Sequence, residues 1–260
     1  MRNKREDSRL IRMGERLVRS AAYLRRGWPV TLAVGAIFRD EARYLPEWIE
    51  FHRKQGVERF YLYENNSDDD WEAALAPFGD VVELRRWPEH PGQYSAYADC
   101  LDRHRADTRW IAFLDIDEFL FSPTGRSLPD VLSGFKRVPG VAVNWRIYRT
   151  NGHEVPPEGS VIENYPIPEP DNDPVNRLVK SIVFPAMTSS RVESPHSFRH
   201  YAPLVGENLR PIRGPFRDPP TADLLRVNHY LTRSRREWEA KLRRERASDG
   251  EIITGAGRYA

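Results

Sequence analysis

From Pro29 onward the chain alternates between short apolar runs and stretches with helical periodicity. Residues 30–38, VTLAVGAIF, form a continuous apolar run of strand length. Residues 42–56 follow with Leu45, Trp48, Ile49 and His52 spaced i, i+3, i+4, i+7, and Gly56 supplies a helix stop. Residues 57–64 are aromatic and β-prone. The polar turn NNSDDD (65–70) then offers N-cap residue types to the helical stretch WEAALAPFG. A third strand is predicted over 80–87 and a fourth over 109–116. Between them lies a helix over 93–107 with Tyr94, Tyr97, Ala98 and Leu101 on one face. Strand–helix repeats at this spacing predict an α/β fold with a mostly parallel, doubly wound sheet. In such sheets ligands bind at the carboxyl ends of the strands.

Beyond Phe121 the pattern loosens. Residues 140–152 read as a further strand, and 234–246 as a charged terminal helix. Between them, 152–222 are rich in Pro, Asn and Gly. That is too long for a structureless loop in a compact domain, so an irregular functional lobe is expected there. Upstream, 1–28 are rich in Arg, with Leu10, Met13, Leu17, Ala21 and Leu24 near helical spacing. The expected organisation is a basic amphipathic helix over 1–28, a main domain over 29–247 and a tail over 248–260. Two uses fit the helix: packing against the domain, or peripheral contact of residues 1–26 with an anionic membrane.

Composition narrows the function. At 260 residues the chain is long enough for one α/β domain with an appendage. Lys and Arg total 40 against 38 Asp and Glu, and the net charge of +2 gives no global nucleic-acid signal. Cys100 is the only cysteine, which excludes an intrachain disulfide and a cysteine zinc site. No run of 18 apolar residues marks a transmembrane helix, and the first residues lack the apolar core of a secretory signal. A cytoplasmic location, or one peripheral to the inner face of the membrane, is the expectation.

Candidate chemistry concentrates in WIAFLDIDEFLF, residues 110–121, where an apolar run ends in Asp115, Asp117 and Glu118. Alternate residues share a face in extended chain, so Asp115 and Asp117 point to one side. Two hard oxygen ligands suit Mn²⁺ or Mg²⁺, above all when a diphosphate completes the shell. The plainer alternative is a solvated strand end that caps the next helix. A phosphatase of the haloacid-dehalogenase type would place such a pair on its first strand. A dinucleotide-binding fold would need G-x-G-x-x-G after that strand, and the chain has neither this nor a P-loop.

Five blocks, FRDEARYLPEWIEFHRKQGVERFYLYENNSDD, RRWPEHPGQYSAYADCLDRHR, WIAFLDIDEFLF, VNWRIYRTNGH and VNHYLTRSRREWEAK, resemble in order those of glycosyltransferase family 92 and its bacterial relatives near family 2. The resemblance runs from about Val30 to Lys241. It departs at Glu64-Asn65-Asn66-Ser67, where members often read YDNNS, and at YRTNGH, where they often read FGSSGH. It implies a GT-A fold, a nucleotide-sugar donor (a UDP-sugar is expected) and a divalent metal held by the D-x-D. The implied reaction is transfer with inversion to a hydroxyl of a glycan or lipid-linked acceptor, as in polysaccharide biosynthesis. A nucleotidyltransferase of similar fold and a catalytically inactive glycan-binding module are the alternative readings.

The resemblance also implies roles. Arg39 and Glu41 follow the first strand, where GT-A enzymes meet the nucleotide. Glu64 and Asn65 are candidates for base or ribose, Gln93 for the diphosphate, and Lys180 for neutralising the leaving group. Asp117 is the expected direct metal ligand, with Asp115 facing ribose and metal and His229 completing the metal shell. His196 is the alternative ligand or an acceptor-site residue. An inverting displacement needs a base within hydrogen-bond reach of the acceptor hydroxyl, and His153, Glu154, Glu163 and Asp173 in the expected lobe are further candidates for it.

Overall fold

The computed structural model describes residues 27–243 and 245–251, so residues 1–26 of the helix expected over 1–28 and residues 252–260 of the expected tail lie outside it. The alternation read from sequence is realised as β1 (Val30–Phe38), α1 (Leu45–Lys54), β2 (Arg59–Glu64), α2 (Trp71–Leu75), β3 (Val82–Arg86), α3 (Gln93–Arg103) and β4 (Thr108–Phe113). β1 pairs in parallel with β2 and with β4, and β2 with β3. Neighbouring side chains of β1 serve opposite layers, as the strand period of two requires. Leu32, Val34, Ala36 and Phe38 pack with Leu45, Trp48 and Ile49 of α1. Ala33 and Ile37 pack with Ala96, Tyr97, Cys100 and Leu101 of α3. Gly56 does end α1, at φ 96°, a conformation that glycine adopts without steric cost.

The rest of the chain contributes β5 (Glu118–Phe121), α4 (Leu128–Leu132), β6 (Gly140–Tyr148), α5 (Val161–Asn164), β7 (Val179–Val183), β8 (Leu204–Gly206), β9 (Pro211–Ile212), β10 (Arg226–Tyr230) and α6 (Arg235–Arg243). The sheet order is β3-β2-β1-β4-β7-β6-β10-β5, with β8 joined to β6 and β9 to β8. β7 runs antiparallel to both β4 and β6, while β10 is parallel to β6 and antiparallel to β5. This is the α/β, mostly parallel arrangement that was expected, extended by a mixed half.

Two expectations are corrected. The fourth strand stops at Phe113, so Asp115 and Asp117 lie in the tight turn that follows it, and Glu118 opens β5. Residues 152–222 also hold a central strand: β7 reads VKSIV, and its Lys180 breaks the apolar run that would have announced it. On either side of that strand the region holds only short elements, α5, β8 and β9, between irregular stretches.

One side chain ties the helical layer to β5. His52 on α1 is fully buried; its Nδ1 donates to the Trp48 carbonyl at 2.8 Å, and its Nε2 accepts the Leu120 N–H at 3.0 Å. Trp48 Nε1 donates to the Glu118 carbonyl at 2.8 Å. Burial holds the His52 imidazole down to about 4. The unfolded chain binds that proton below about pH 6.5, so this contribution is present above pH 6.5 and is lost as pH falls toward 4. Replacing His52 by Leu orphans the Leu120 N–H and should cost about 1–3 kcal/mol at pH 7. The variant should then lose less additional stability on acidification than the wild type. Urea unfolding at pH 7 and pH 4.5 reads both, and unchanged stability at pH 7 would rule the bond out as a fold determinant.

Candidate active site

A cavity of about 400 Å³ opens at the carboxyl ends of the parallel strands. Its floor is the turn that follows β4. Glu118 N–H donates to the Asp115 carbonyl at 3.1 Å, and Asp115 N–H donates back to Glu118 Oε2 at 2.9 Å. This reciprocal pair closes the turn and sends Asp115 and Asp117 into the cavity while Glu118 turns inward, fully buried.

Each acid meets a different cation. Asp115 Oδ2 lies 2.8 Å from Lys180 Nζ, and its Oδ1 accepts a hydrogen bond from Gln93 Nε2 at 3.1 Å. Its partial burial would raise the carboxyl, but the Lys180 ammonium outweighs this and holds it below the ordinary value. Glu118 also meets Lys180, at 3.2 Å, yet burial pushes its carboxyl up to about 8. Asp117 faces Lys241 Nζ at 2.6 Å and His229 Nε2 at 3.4 Å. Burial would raise Asp117 too, but Lys241 and then His229 hold it well below the usual carboxylate range.

The walls carry two imidazoles and a guanidinium. His229, on β10, stands edge-on to Trp145 at 4.3 Å, and neither of its ring nitrogens has a hydrogen-bond partner among the described residues. Burial lowers its pKa, Asp117 opposing, so the ring is neutral near pH 7. His196 also meets Trp145, edge-on at 5.0 Å, and points Nδ1 at the Val179 carbonyl, 3.1 Å away. That carbonyl fixes the tautomer with Nε2 as the acceptor. Burial and the nearby Lys180 hold His196 down to about 4. Arg233 has φ 50°, which turns its side chain back over the Tyr44 ring at 3.6 Å, and its Nη1 donates to Glu41 Oε2 at 2.7 Å. Its Nε and Nη2 have no partner among the described residues.

Of the residues singled out in sequence, Arg39, Glu41, Asn65, Gln93, Asp115, Asp117, His196 and His229 all line this cavity. Lys180 and Glu64 do not. Lys180 is 1% exposed beneath the floor, where its charge is met by Asp115 with the Glu118 carboxyl group alongside, so its expected contact with a diphosphate gives way to holding the acid turn. Glu64 is buried and accepts the Ser67 N–H at 2.5 Å, which shapes the following turn. Asn65 lines the cavity while donating to the Trp87 and Glu89 carbonyls. The four base candidates of the expected lobe also lie elsewhere. His153 meets the Asn164 carbonyl, Glu154 pairs with Arg235, Glu163 is an exposed residue of α5, and Asp173 pairs with Arg149. Sequence reading missed Tyr44, Trp145, Arg233 and Lys241. The last two sit within the block TRSRREWEAK, where His229 four residues before Arg233 was the available signal.

As a cation site the cavity is open. Among the described residues no three carboxylate, imidazole or thiol groups converge into a ready cage. Asp117 and His229 nonetheless present a carboxylate oxygen and an unpartnered neutral imidazole nitrogen 3.4 Å apart. A hard oxygen beside a borderline nitrogen fits a Mn²⁺ ion whose remaining ligands come from elsewhere.

Comparison with known proteins agrees with the geometry. A glycosyltransferase family 92 protein of Oryza sativa subsp. japonica is 36% identical over 132 residues, covering 50% of this chain and 22% of that protein. A beta-1,4-galactosyltransferase of Caenorhabditis elegans is 28% identical over 132 residues, covering 44% of this chain and 30% of that protein. The chain thus matches less than a third of either relative's length. Among solved structures, glucosyl-3-phosphoglycerate synthase from Mycobacterium tuberculosis overlaps 49% of this chain and 50% of its own, at 16% identity and a TM-score of 0.32, too loosely to carry an argument. The family model for glycosyltransferase family 92 matches residues 29–207, and the chain belongs to that family.

Proposed function

We propose that this chain transfers a sugar from a nucleotide-diphosphate sugar, a UDP-sugar, to a hydroxyl of a glycan or glycolipid. The observation that carries the reading is the meeting of Asp117, His229 and Arg233 in one cavity at the strand ends of a family 92 chain. The relatives named as beta-1,4-galactosyltransferases support a galactosyl donor and a β-linked product. Making a β-linkage from an α-linked nucleotide sugar is an inversion, which requires a base on the acceptor side.

The chain's own residues divide the work. Arg39 and Asn65 bound the nucleotide end of the cavity, and Gln93 holds Asp115 toward it. Arg233 offers two unpartnered N–H groups for a phosphate oxygen, a match suited to guanidinium geometry. Asp117 and His229 would hold Mn²⁺ or Mg²⁺, which when bound stabilises charge on the departing diphosphate. His196 is neutral and keeps Nε2 as an acceptor, which makes it the base candidate at the cavity wall. No helix among the described residues is long and apolar enough to cross a membrane. Residues 1–26 carry the proposed peripheral contact with the cytoplasmic face of the membrane, where a lipid-linked acceptor would lie.

Asp117→Asn should keep its fold and lower Mn²⁺-dependent UDP release from UDP-galactose, with acceptor present, by about 10²–10³-fold. Wild-type rates in that variant would remove the site from the mechanism. Pyrophosphate release from a nucleoside triphosphate would point to nucleotidyl transfer instead. His196→Ala should lower kcat by about 10²–10⁴-fold with little change in donor KM; a pure KM effect would reassign His196 to binding. For the membrane contact, co-sedimentation with anionic liposomes should fall with salt and on deletion of residues 1–26, each Lys or Arg contributing about 1 kcal/mol. Full-length protein that ignores such liposomes at low salt would show that the segment has no membrane role.

A further inference from the structure

Asp117 is the acid best placed to bind a cation, and a cation is already there. Lys241 on α6 brings Nζ to 2.6 Å from Asp117 Oδ2 and to 3.2 Å from the Leu231 carbonyl. The ammonium therefore sits between two hard oxygens, the ligand chemistry of a divalent cation. On the other side of the same carboxylate, Oδ1 is 3.4 Å from the unpartnered Nε2 of His229.

The two lysines of the site differ in freedom. Lys180 is 1% exposed in a central strand, held between the Asp115 and Glu118 carboxyl groups. The Lys241 side chain is 34% exposed on the cavity wall and hangs on a flexible four-carbon stem, so it can leave without unfolding anything. A divalent ion on Asp117 would lie within a few ångströms of that ammonium, and like charges so close repel strongly.

We propose that Lys241 is the resident counter-ion of the metal position: it neutralises Asp117 when no metal is bound, and metal and ammonium occupy that carboxylate in alternation. The inference rests on the divalent-cation reading of the site and adds a regulator to it. Metal affinity is then set by how often the pair is open. With the pair open in about one molecule in ten, the apparent Kd is about ten times the intrinsic value.

The test is Mn²⁺ titration of the full chain without donor, with free Mn²⁺ followed by its paramagnetic resonance signal. Lys241→Met should bind Mn²⁺ about tenfold more tightly than the wild type, while Lys241→Arg, which keeps the charge, should stay close to it. Adding Asp117→Asn to Lys241→Met should abolish the gain, which places the effect on that carboxylate. Equal or weaker binding by Lys241→Met, with the wild type binding normally, overturns the competition and leaves the metal reading intact. Absence of Mn²⁺ binding in both proteins overturns competition and metal reading together. If Lys241→Met in that case also lost UDP binding, the ammonium would be a permanent substitute for the metal.

Discussion

Lys180 lies within the sheet, 1% exposed, 2.8 Å from Asp115 and 3.2 Å from Glu118. Burying an ammonium costs several kcal/mol, and only close, well-placed opposite charges offset it. That requirement fixes a good deal at once. β7 must lie between β4 and β6 in a register that puts Lys180 under the acid turn, as observed. The turn must in turn present Asp115 and Glu118 to one ammonium, which their reciprocal hydrogen bonds, one to a backbone carbonyl and one to the Glu118 side chain, secure. Gln93 takes the remaining Asp115 oxygen and so ties the start of α3 to the same point. The floor of the cavity is the surface of a charge cluster whose interior is satisfied by Lys180.

Above that floor the electrostatics change character. Asp117 is compensated by a partly exposed lysine, stands 3.4 Å from the neutral His229 ring, and borders open space. The segment after α6 also lies across this part of the cavity. Glu245 meets His90 at 2.8 Å, and the Ala247 carbonyl accepts the Gln93 N–H at 2.9 Å. The permanent charges lie below and the exchangeable ones above, next to the segment that covers the cavity. A site that must accept and release a highly charged donor needs that division, because a fully satisfied network would have nothing left to offer a ligand.

How much of this could be read from sequence follows from the range of the interactions. β1 to β4 and their helices announce themselves through local periodicity, since each buries one clear face. The acid turn was legible because three carboxylates after an apolar run need a cation nearby. β7 was not legible, since the residue that makes it indispensable, Lys180, is also the one that spoils its apolar pattern. Lys180 was singled out for a diphosphate, whereas its partners are carboxylates from 62 to 65 positions away in the chain. Arg233 and Lys241 were hidden for a related reason. They belong to a run of basic residues that sequence cannot rank, and only the positive φ at Arg233 and the course of α6 turn these two toward the cavity.

Desolvation then sorts the titratable groups into roles. Within one four-residue turn, Asp117 is held well below the carboxylate range while burial pushes Glu118 up to about 8. Neighbouring carboxyls driven apart by environment are the usual origin of distinct chemical duties. Both histidines flanking Trp145 are kept neutral by burial, the form that accepts a proton or a metal. Near pH 7 the part of the cavity around Trp145 therefore offers the ionised carboxylate of Asp117, two neutral imidazoles, and the cations Arg233 and Lys241, with Asp40, Glu41, Glu237 and Glu245 among the other lining acids. Asp115 remains ionised but is already matched by Lys180. A diphosphate entering this space meets the unpartnered N–H donors of Arg233, while Asp117, the floor acid that borders open space, is masked by whichever cation it holds.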